Sequence, residues 1–165
     1  NTSIPGIDAT SGSLGHGLGV GCGLAYLYKK KNIDKKVYVI ISEGELYEGS
    51  TWEALLFAAH HNLTNLNIVI DENSLIILGK TDDCLKLDSI KEKVEGFGFN
   101  VLEVDGHNLA ELEEAFNVKS EKVKVVLAKT IKGKGFSLME NKAHWHYWNN
   151  LSHEEISLCR KELKL

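Results

Sequence analysis

The sequence has few cysteines, no excess of positive charge and no long apolar run. Its three cysteines, Cys22, Cys84 and Cys159, lie far apart, and no two of them have the spacing of zinc ligands. An odd and scattered set does not form a disulfide framework, so we expect reduced thiols in a cytoplasmic protein. The net charge of −4 excludes a bulk electrostatic attraction to nucleic acid.

The hydrophobicity of the chain excludes a membrane-spanning segment, and its length predicts the number of domains. The longest apolar runs are far shorter than a membrane span, and no signal peptide is visible, so we expect no membrane partner. A chain of 165 residues predicts one domain over 1–165. The chain does not begin with methionine, and a glycine-rich motif arrives within a dozen residues. We therefore expect that an upstream segment is missing.

Apolar strand-like segments alternate with helix-like segments along the chain. This order predicts an α/β fold, a three-layer doubly wound parallel sheet. The run "KVYVIIS" at 36–42 predicts a fully buried strand, and "LNIVIDEN" at 66–73 has the same character. The other predicted elements are strands at 100–106 and 122–130 and helices at 50–61, 88–98, 108–117 and 152–163.

Capping residues support the predicted helix starts. A Ser or Asn followed three residues later by Glu predicts a capped helix. This pattern occurs at Ser50 with Glu53, Asn108 with Glu111 and Ser152 with Glu155, and Asp88 or Ser89 begins the remaining helix.

Polar residues follow the first two strands. Glu43 comes directly after the first strand, and Asn73 ends the second. Ligands bind at the carboxyl ends of parallel strands, and carboxylate and amide oxygens suit a hard cation such as Mg²⁺. Gly44 would let the backbone approach a phosphate. The residues alone equally allow solvated loop acids at Glu43 and Glu45 and a turn at Asn73.

The glycine-rich stretch "GSLGHGLGVGCG" at 12–23 has a second interpretation. Its spacing is similar to a dinucleotide-binding loop, but that loop requires a strand directly before it, and none is predicted there. Close helix packing at glycines 15, 17, 19, 21 and 23 is the favoured interpretation. Trp52, Trp145 and Trp148 are expected as core or interface anchors.

Four ordered motifs carry a resemblance to a known family. They are "PGIDATSGSLGHGLGVGCGLA", "SEGELYEGSTWEALLFAAHH", "NLNIVIDENSLIILGKT" and "KGKGFSLMENKAHWH". Their order and spacing resemble the thiamine-diphosphate-binding (PP) domain of transketolases, over nearly the whole chain. The likeness is strongest to the small N-terminal subunits of split transketolases.

The resemblance implies a cofactor site. The family signature Gly-Asp-Gly followed by Asn reads here as Ser42-Glu43-Gly44 and Asn73. It implies that Glu43, Asn73 and the Leu75 carbonyl hold Mg²⁺ beside thiamine diphosphate. The implied cofactor-binding residues are Gly12, Leu14, His16, Gly44, Glu45, Glu48, Asn73, Leu75, Ile77 and His146. His146 is also the implied catalytic residue, a proton donor or acceptor that phosphates would help to stay protonated.

Two departures fall on the signature. Glu43 stands where the family has Asp, and its extra methylene moves the carboxylate by roughly 1 Å, which matters because Mg²⁺ demands near-ideal geometry. Mn²⁺ or Ca²⁺ is therefore an alternative ion. Ser42 replaces a glycine.

The implied function is transfer of a two-carbon ketol unit between sugars or sugar phosphates. The partner would be a separate C-terminal subunit that carries the pyrimidine-binding domain, in a dimer or heterotetramer, and activity would need both chains. Two alternatives remain: a non-catalytic assembly module with an impaired metal site, and a decarboxylase or acyl transferase on the same fold.

Overall fold

The computed structural model describes residues 3–147 and 150–164 of the chain. The chain divides into two compact units. A sheet unit comprises Asn1–Glu72 and Ser89–Lys129, and a hairpin unit comprises Asn73–Asp88 and Thr130–Leu165.

The sheet unit contains four strands and four helices. The strands are β1 (Val37–Ser42), β2 (Leu66–Glu72), β5 (Asn100–Asp105) and β6 (Lys124–Lys129). The helices are α1 (Gly17–Lys30), α2 (Gly49–His60), α4 (Ile90–Glu95) and α5 (Leu109–Asn117). All neighbouring strands are parallel, in the order β1-β2-β6-β5. The predicted α/β fold with a parallel sheet is confirmed, and the four predicted strands are present within one or two residues.

Two apolar layers enclose this sheet. On one face, α1 packs against Val39 of β1, and α2 packs on α1. On the opposite face, Ala115 of α5 forms a buried cluster with Val69, Val126 and Ala128. Successive strand residues point to opposite faces, so the alternating apolar residues of β2 and β6 serve both layers.

Strand β1 departs from its prediction. The apolar run predicts full burial, but Tyr38 is 53% exposed and Ile40 is 75% exposed. The reason is position: β1 is an edge strand, and the helix on that face, α5, packs mainly on β2, β6 and β5, reaching β1 where the rings of Phe116 and Tyr38 lie 5.7 Å apart. By contrast, β2 is a central strand, and Leu66–Ile70 are all buried as predicted.

The predicted N-cap residues are confirmed in three cases and wrong in one. Ser89, Asn108 and Ser152 each accept backbone hydrogen bonds as N-caps, and Ser152 forms a full capping box with Glu155. Ser50 is not a cap: α2 begins at Gly49, and the Ser50 hydroxyl donates to the Gly15 carbonyl at 3.0 Å. The Ser50 hydroxyl thus bonds to a residue distant in sequence instead of to the backbone of its own helix.

The hairpin unit contains the short strands β3 (Leu75–Ile76) and β4 (Gly79–Lys80), which pair antiparallel. It also contains the short helix α3 (Thr81–Cys84), a 3-10 turn at Ala143–His146 and helix α6 (His153–Glu162). Among the described residues, no helix is long and apolar enough to cross a membrane. Cys22, Cys84 and Cys159 are all free thiols, as predicted.

Candidate cofactor site

The first two strands bring their carboxyl ends side by side. In the parallel register, Ser42 of β1 pairs with Asp71 of β2. Glu43 therefore follows one strand, and Asn73 follows the neighbouring strand after Glu72. Parallel pairing thus supplies the strand-end arrangement that the sequence predicted.

Glu43 begins a 3-10 turn, Glu43–Tyr47, directly after β1. Its side chain is only 2% exposed, and Gly44 is buried too. Glu43 is thus not a solvated loop acid. A buried carboxylate is costly unless a cation or hydrogen bonds compensate it, so this position is suited to meet a positive charge.

Glu45 fastens the glycine-rich segment to this turn. Its Oε2 atom accepts a hydrogen bond from the Gly15 backbone N–H at 3.1 Å. Gly15 has a φ of +77°, and a Cβ there would lie 2.9 Å from Cβ of Glu48. The solvated-acid interpretation is therefore wrong for Glu45 as well. The structure brings the segment 12–16 together with the segment 43–50.

The turn after β1 is itself supported from α2. The Thr51 hydroxyl donates to the Glu45 carbonyl at 2.8 Å. The Trp52 indole N–H donates to the Leu46 carbonyl at 2.8 Å, and its ring stacks near that of Phe97. Trp52 is half-buried and serves as an anchor, as predicted; Trp148 lies outside the described residues.

Gly12, Leu14 and His16 stand on the surface of the sheet unit. All three are exposed, Leu14 by 52%, and the His16 ring nitrogen Nδ1 lies 3.1 Å from the Leu14 carbonyl. In the described residues before α1 no strand occurs, so the dinucleotide-loop context is absent. Their exposure leaves them accessible to a ligand.

Close helix packing was predicted for five glycines, and the structure bears it out for Gly15 and Gly21. A Cβ at Gly21 would lie 2.2 Å from Cγ2 of Val39, so only glycine lets α1 approach β1 this closely. At glycines 17, 19 and 23 an added Cβ would meet no neighbour within 4 Å, so these three are not packing contacts.

Asn73 forms a tight turn at the start of the hairpin unit. The side chain is 8% exposed, and its Oδ1 atom accepts a hydrogen bond from the Leu75 N–H at 3.1 Å. Ser74 between them adopts a left-handed φ of 61°. Leu75 is half-buried, and Ile77 is 51% exposed. Asn73 is thus a turn residue, as one sequence interpretation has it, and it is buried.

His146 ends the 3-10 turn of the hairpin unit, which contacts both β3 and β4. Its side chain is exposed. Burial, and then the charge of Lys132, lower the pKa of His146 below its ordinary value of 6.5. Without a bound phosphate, the ring therefore loses its proton more readily than an ordinary histidine, the opposite direction to that expected beside phosphates.

The three proposed metal ligands are of the chemical type that a hard divalent cation binds. Glu43 has a carboxylate, Asn73 an amide oxygen and Leu75 a backbone carbonyl, and all three are oxygen donors. Within the described ranges, no group of three or more His, Cys, Asp or Glu side chains has metal-site geometry. The sequence did not predict that Glu45 and Ser50 bond to the backbone of Gly15, because such contacts distant in sequence leave no local pattern.

Comparisons with known proteins agree on one family. Residues 1–165 match the family described as "Transketolase, thiamine diphosphate binding domain". The chain is 40% identical over 162 residues to an apulose-4-phosphate transketolase subunit of Actinobacillus succinogenes, covering 97% of this chain and 58% of that protein. It is also 40% identical to human transketolase, over 84% of this chain and 22% of that protein.

Solved structures show the same fold. The transketolase of Campylobacter jejuni superposes with a TM-score of 0.88 at 30% identity, covering 99% of this chain and 27% of that one. The chain thus spans little more than half of the split subunits, and about a quarter of the full-length enzymes. The match over its whole length nevertheless shows that the chain belongs to the transketolase family, as a thiamine-diphosphate-binding domain.

Proposed function

We propose that this chain is the diphosphate- and Mg²⁺-binding part of a thiamine-diphosphate-dependent enzyme that transfers a two-carbon ketol unit between sugars. Relatives named as one subunit of apulose-4-phosphate transketolase support a split enzyme whose substrates are sugar phosphates. The proposal includes a partner chain that carries the pyrimidine-binding domain, assembly as a dimer or heterotetramer, and a cytoplasmic location.

The burial of Glu43 is the observation that carries this proposal. A carboxylate that is 2% exposed at the end of β1 is suited to a bound cation, since the ion offsets the cost of removing the charge from water. Asn73 and the Leu75 carbonyl complete the proposed ligand set. Mn²⁺ and Ca²⁺ are alternatives because the longer Glu43 side chain changes the fit of the ion.

Other residues of this chain bind and orient the cofactor in the proposal. Gly44 lets the backbone approach the diphosphate, and Leu75 and Ile77 offer apolar contact to the rings. Gly12, Leu14 and His16 lie along the cofactor, on a segment that Glu45 and Ser50 hold in place. Glu48 faces the partner chain. Bound thiamine diphosphate would supply the carbanion chemistry, and the protein supplies position and charge.

His146 serves as the proton donor or acceptor beside the diphosphate. Its lowered pKa makes the neutral ring available to accept a proton at Nδ1 or Nε2 near pH 7. An adjacent phosphate would raise the pKa, so the same ring could then donate. Its position at the end of an exposed turn leaves it open to substrate.

Calorimetry with thiamine diphosphate and Mg²⁺ on the full chain assembled with its partner tests the proposal. We expect wild-type binding that requires Mg²⁺. Glu43→Gln removes a ligand charge and should weaken binding by about tenfold or more. Glu43→Asp should tighten it, because the shorter side chain relaxes the strain that the extra methylene imposes on the ion.

The matched control is Glu53→Asp, which makes the same change at an exposed position of α2. It should leave the affinity unaltered. Equal affinities in wild type, Glu43→Asp and Glu43→Gln would show that Glu43 does not touch the ion. Absence of any Mg²⁺-dependent binding would instead favour a non-catalytic assembly module, for which the Glu43 departure from the signature is the motivating observation.

A further inference from the structure

A strongly basic segment connects α1 to β1. Residues 29–36, "KKKNIDKK", contain five lysines and one aspartate, although the chain as a whole has a net charge of −4. The segment lies at the amino end of β1, at the opposite end of the strand from Glu43. Thr64 and Asn65, which precede β2, line the same region. The positive charge is thus concentrated at one end of the sheet.

The lysines of this segment are not neutralised by carboxylates. In the described part of the chain, none of them makes an ion pair. Lys29 donates instead to the carbonyls of His61 and Asn62, each at 2.7 Å. Lys35 lies 5.7 Å from the ring centroid of Tyr28. Lys29 and Lys35 therefore lie next to neutral groups, and no carboxylate among the described residues offsets their charges.

Part of this segment lines a surface cavity of about 400 Å³ that is broadly open to solvent. Lys29, Lys35 and Lys36 contribute positive charge, and Thr64 contributes a hydroxyl. Asp34 is the one acid in its lining. A second cavity, of about 470 Å³, shares Lys29 with the first and is also lined by Lys30, His60 and His61. Volumes of this order are those of small-molecule sites.

The positive charges of this segment also affect the pKa values of neighbouring residues. Burial, and then the charges of His60, Lys30 and Lys29, lower the pKa of His61. Lys36, after burial, contributes to lowering the pKa of Lys124. In both cases nearby positive charge adds to burial in disfavouring protonation, and an approaching anion would oppose that charge effect.

We propose that this basic cavity binds a small molecule that carries two or more phosphate groups. Lysine ammonium groups bind phosphate oxygens as point charges, and Lys29, Lys35 and Lys36 line one small-molecule-sized space. A nucleic acid fits less well, because the basic segment is short and the rest of the chain is acidic. The site lies at the opposite end of β1 from Glu43, and the proposal does not depend on the proposed function.

Titration of the full chain with inorganic triphosphate in EDTA tests the inference. EDTA removes divalent cations, so the proposed metal site cannot hold the probe. Calorimetry should give saturable binding that weakens as salt rises. Amide chemical shifts should move at residues 29–36 and 64–65. The double variant Lys35→Gln and Lys36→Gln should weaken binding by about tenfold or more.

The matched control is Lys119→Gln with Lys122→Gln, two exposed lysines outside the cavity. It should change the affinity by less than about twofold. Equal weakening in both double variants, shifts confined to 12–16 and 42–49, or no saturable binding would each overturn the proposal. Tighter binding of a short single-stranded oligonucleotide than of triphosphate would also overturn it and assign the surface to nucleic acid.

Discussion

The charged side chains at the two ends of the parallel sheet differ in burial and in hydrogen bonding. At the carboxyl end, Glu43 is almost fully buried, and Glu45 is bonded to the backbone of Gly15. At the amino end, the lysines of segment 29–36 are exposed and make no ion pair in the described part of the chain. The carboxyl end fixes these acids internally, whereas the amino end presents the lysines of segment 29–36 to solvent.

This difference predicts that the side chains of the two proposed sites lose different amounts of conformational entropy when a ligand binds. Acids that the chain itself holds in place need little reordering when a cation or cofactor arrives, so affinity is not lost to conformational entropy. Exposed lysines keep their rotamer freedom and must lose it on binding. We therefore expect changes at the carboxyl end to affect stability strongly, and changes at the exposed amino-end lysines to affect mainly binding.

Gly15→Ala should produce the largest loss of stability. The methyl group would lie 2.3 Å from the Ser50 hydroxyl and 2.9 Å from Cβ of Glu48, and the φ of +77° is strained for any residue with a Cβ. Strain and overlap together should lower the free energy of unfolding by roughly 2–4 kcal/mol. Urea denaturation measures this change.

Gly23→Ala is the control for that prediction. Gly23 lies within α1, and a Cβ there would meet nothing within 4 Å. Alanine should raise the free energy of unfolding by about 0.5–1 kcal/mol, because it restricts the unfolded chain and favours helix. If Gly15→Ala were as stable as wild type, the carboxyl end would be less rigidly held than its contacts imply.

The sequence predicted the strand ends well because their signals are local. Runs of apolar residues end at Ser42 and near Asn73, and parallel pairing follows from the alternation of strands and helices. The position of Glu43 at a buried strand end follows from those two facts alone. Its proposed role as a metal ligand rests on the resemblance, since a single Glu after a strand is common.

The remaining features depend on contacts distant in sequence. Helix α1 was not among the predicted helices, because alternate glycines weaken helix propensity and only Gly21 packs against β1. Ser50 matched a capping box, but the Gly15 carbonyl competed for its hydroxyl. The exposure of Ile40 depends on the edge position of β1, which its apolar run does not encode.

Lys124→Met should produce the next largest loss of stability, at the amino end itself. Lys124 begins β6 and is buried, and its ammonium donates to the carbonyls of Ala115, Phe116 and Val118 at 2.7–3.1 Å. Methionine keeps the apolar stem but leaves the C-terminal carbonyls of α5 without this donor. We expect a loss of about 1–3 kcal/mol in the free energy of unfolding.

The pH dependence of the same variant gives a second test. Burial, and then the charge of Lys36, lower the pKa of Lys124 below its ordinary value of 10.5. Between the lowered pKa and 10.5 the unfolded chain holds more protons than the folded one, so wild-type stability should rise with pH in that window. Lys124→Met should lack this rise, whereas Lys122→Met, at an exposed position, should retain it. Wild-type stability in Lys124→Met would mean that desolvation of the ammonium cancels its three hydrogen bonds.

The smallest effect, and one of opposite sign, is expected for the double variant Lys35→Gln and Lys36→Gln. Removing two charges from a cluster without ion pairs lowers repulsion, so the free energy of unfolding should rise by up to about 0.5 kcal/mol. The gain should appear at about 0.01 M salt and vanish at about 1 M, where the Debye length is only about 3 Å. Urea denaturation at both salt concentrations, with Lys119→Gln and Lys122→Gln as the control pair, measures it. A salt-independent loss of stability would mean that these lysines are structural, and the contrast between the two ends of the sheet would then fail.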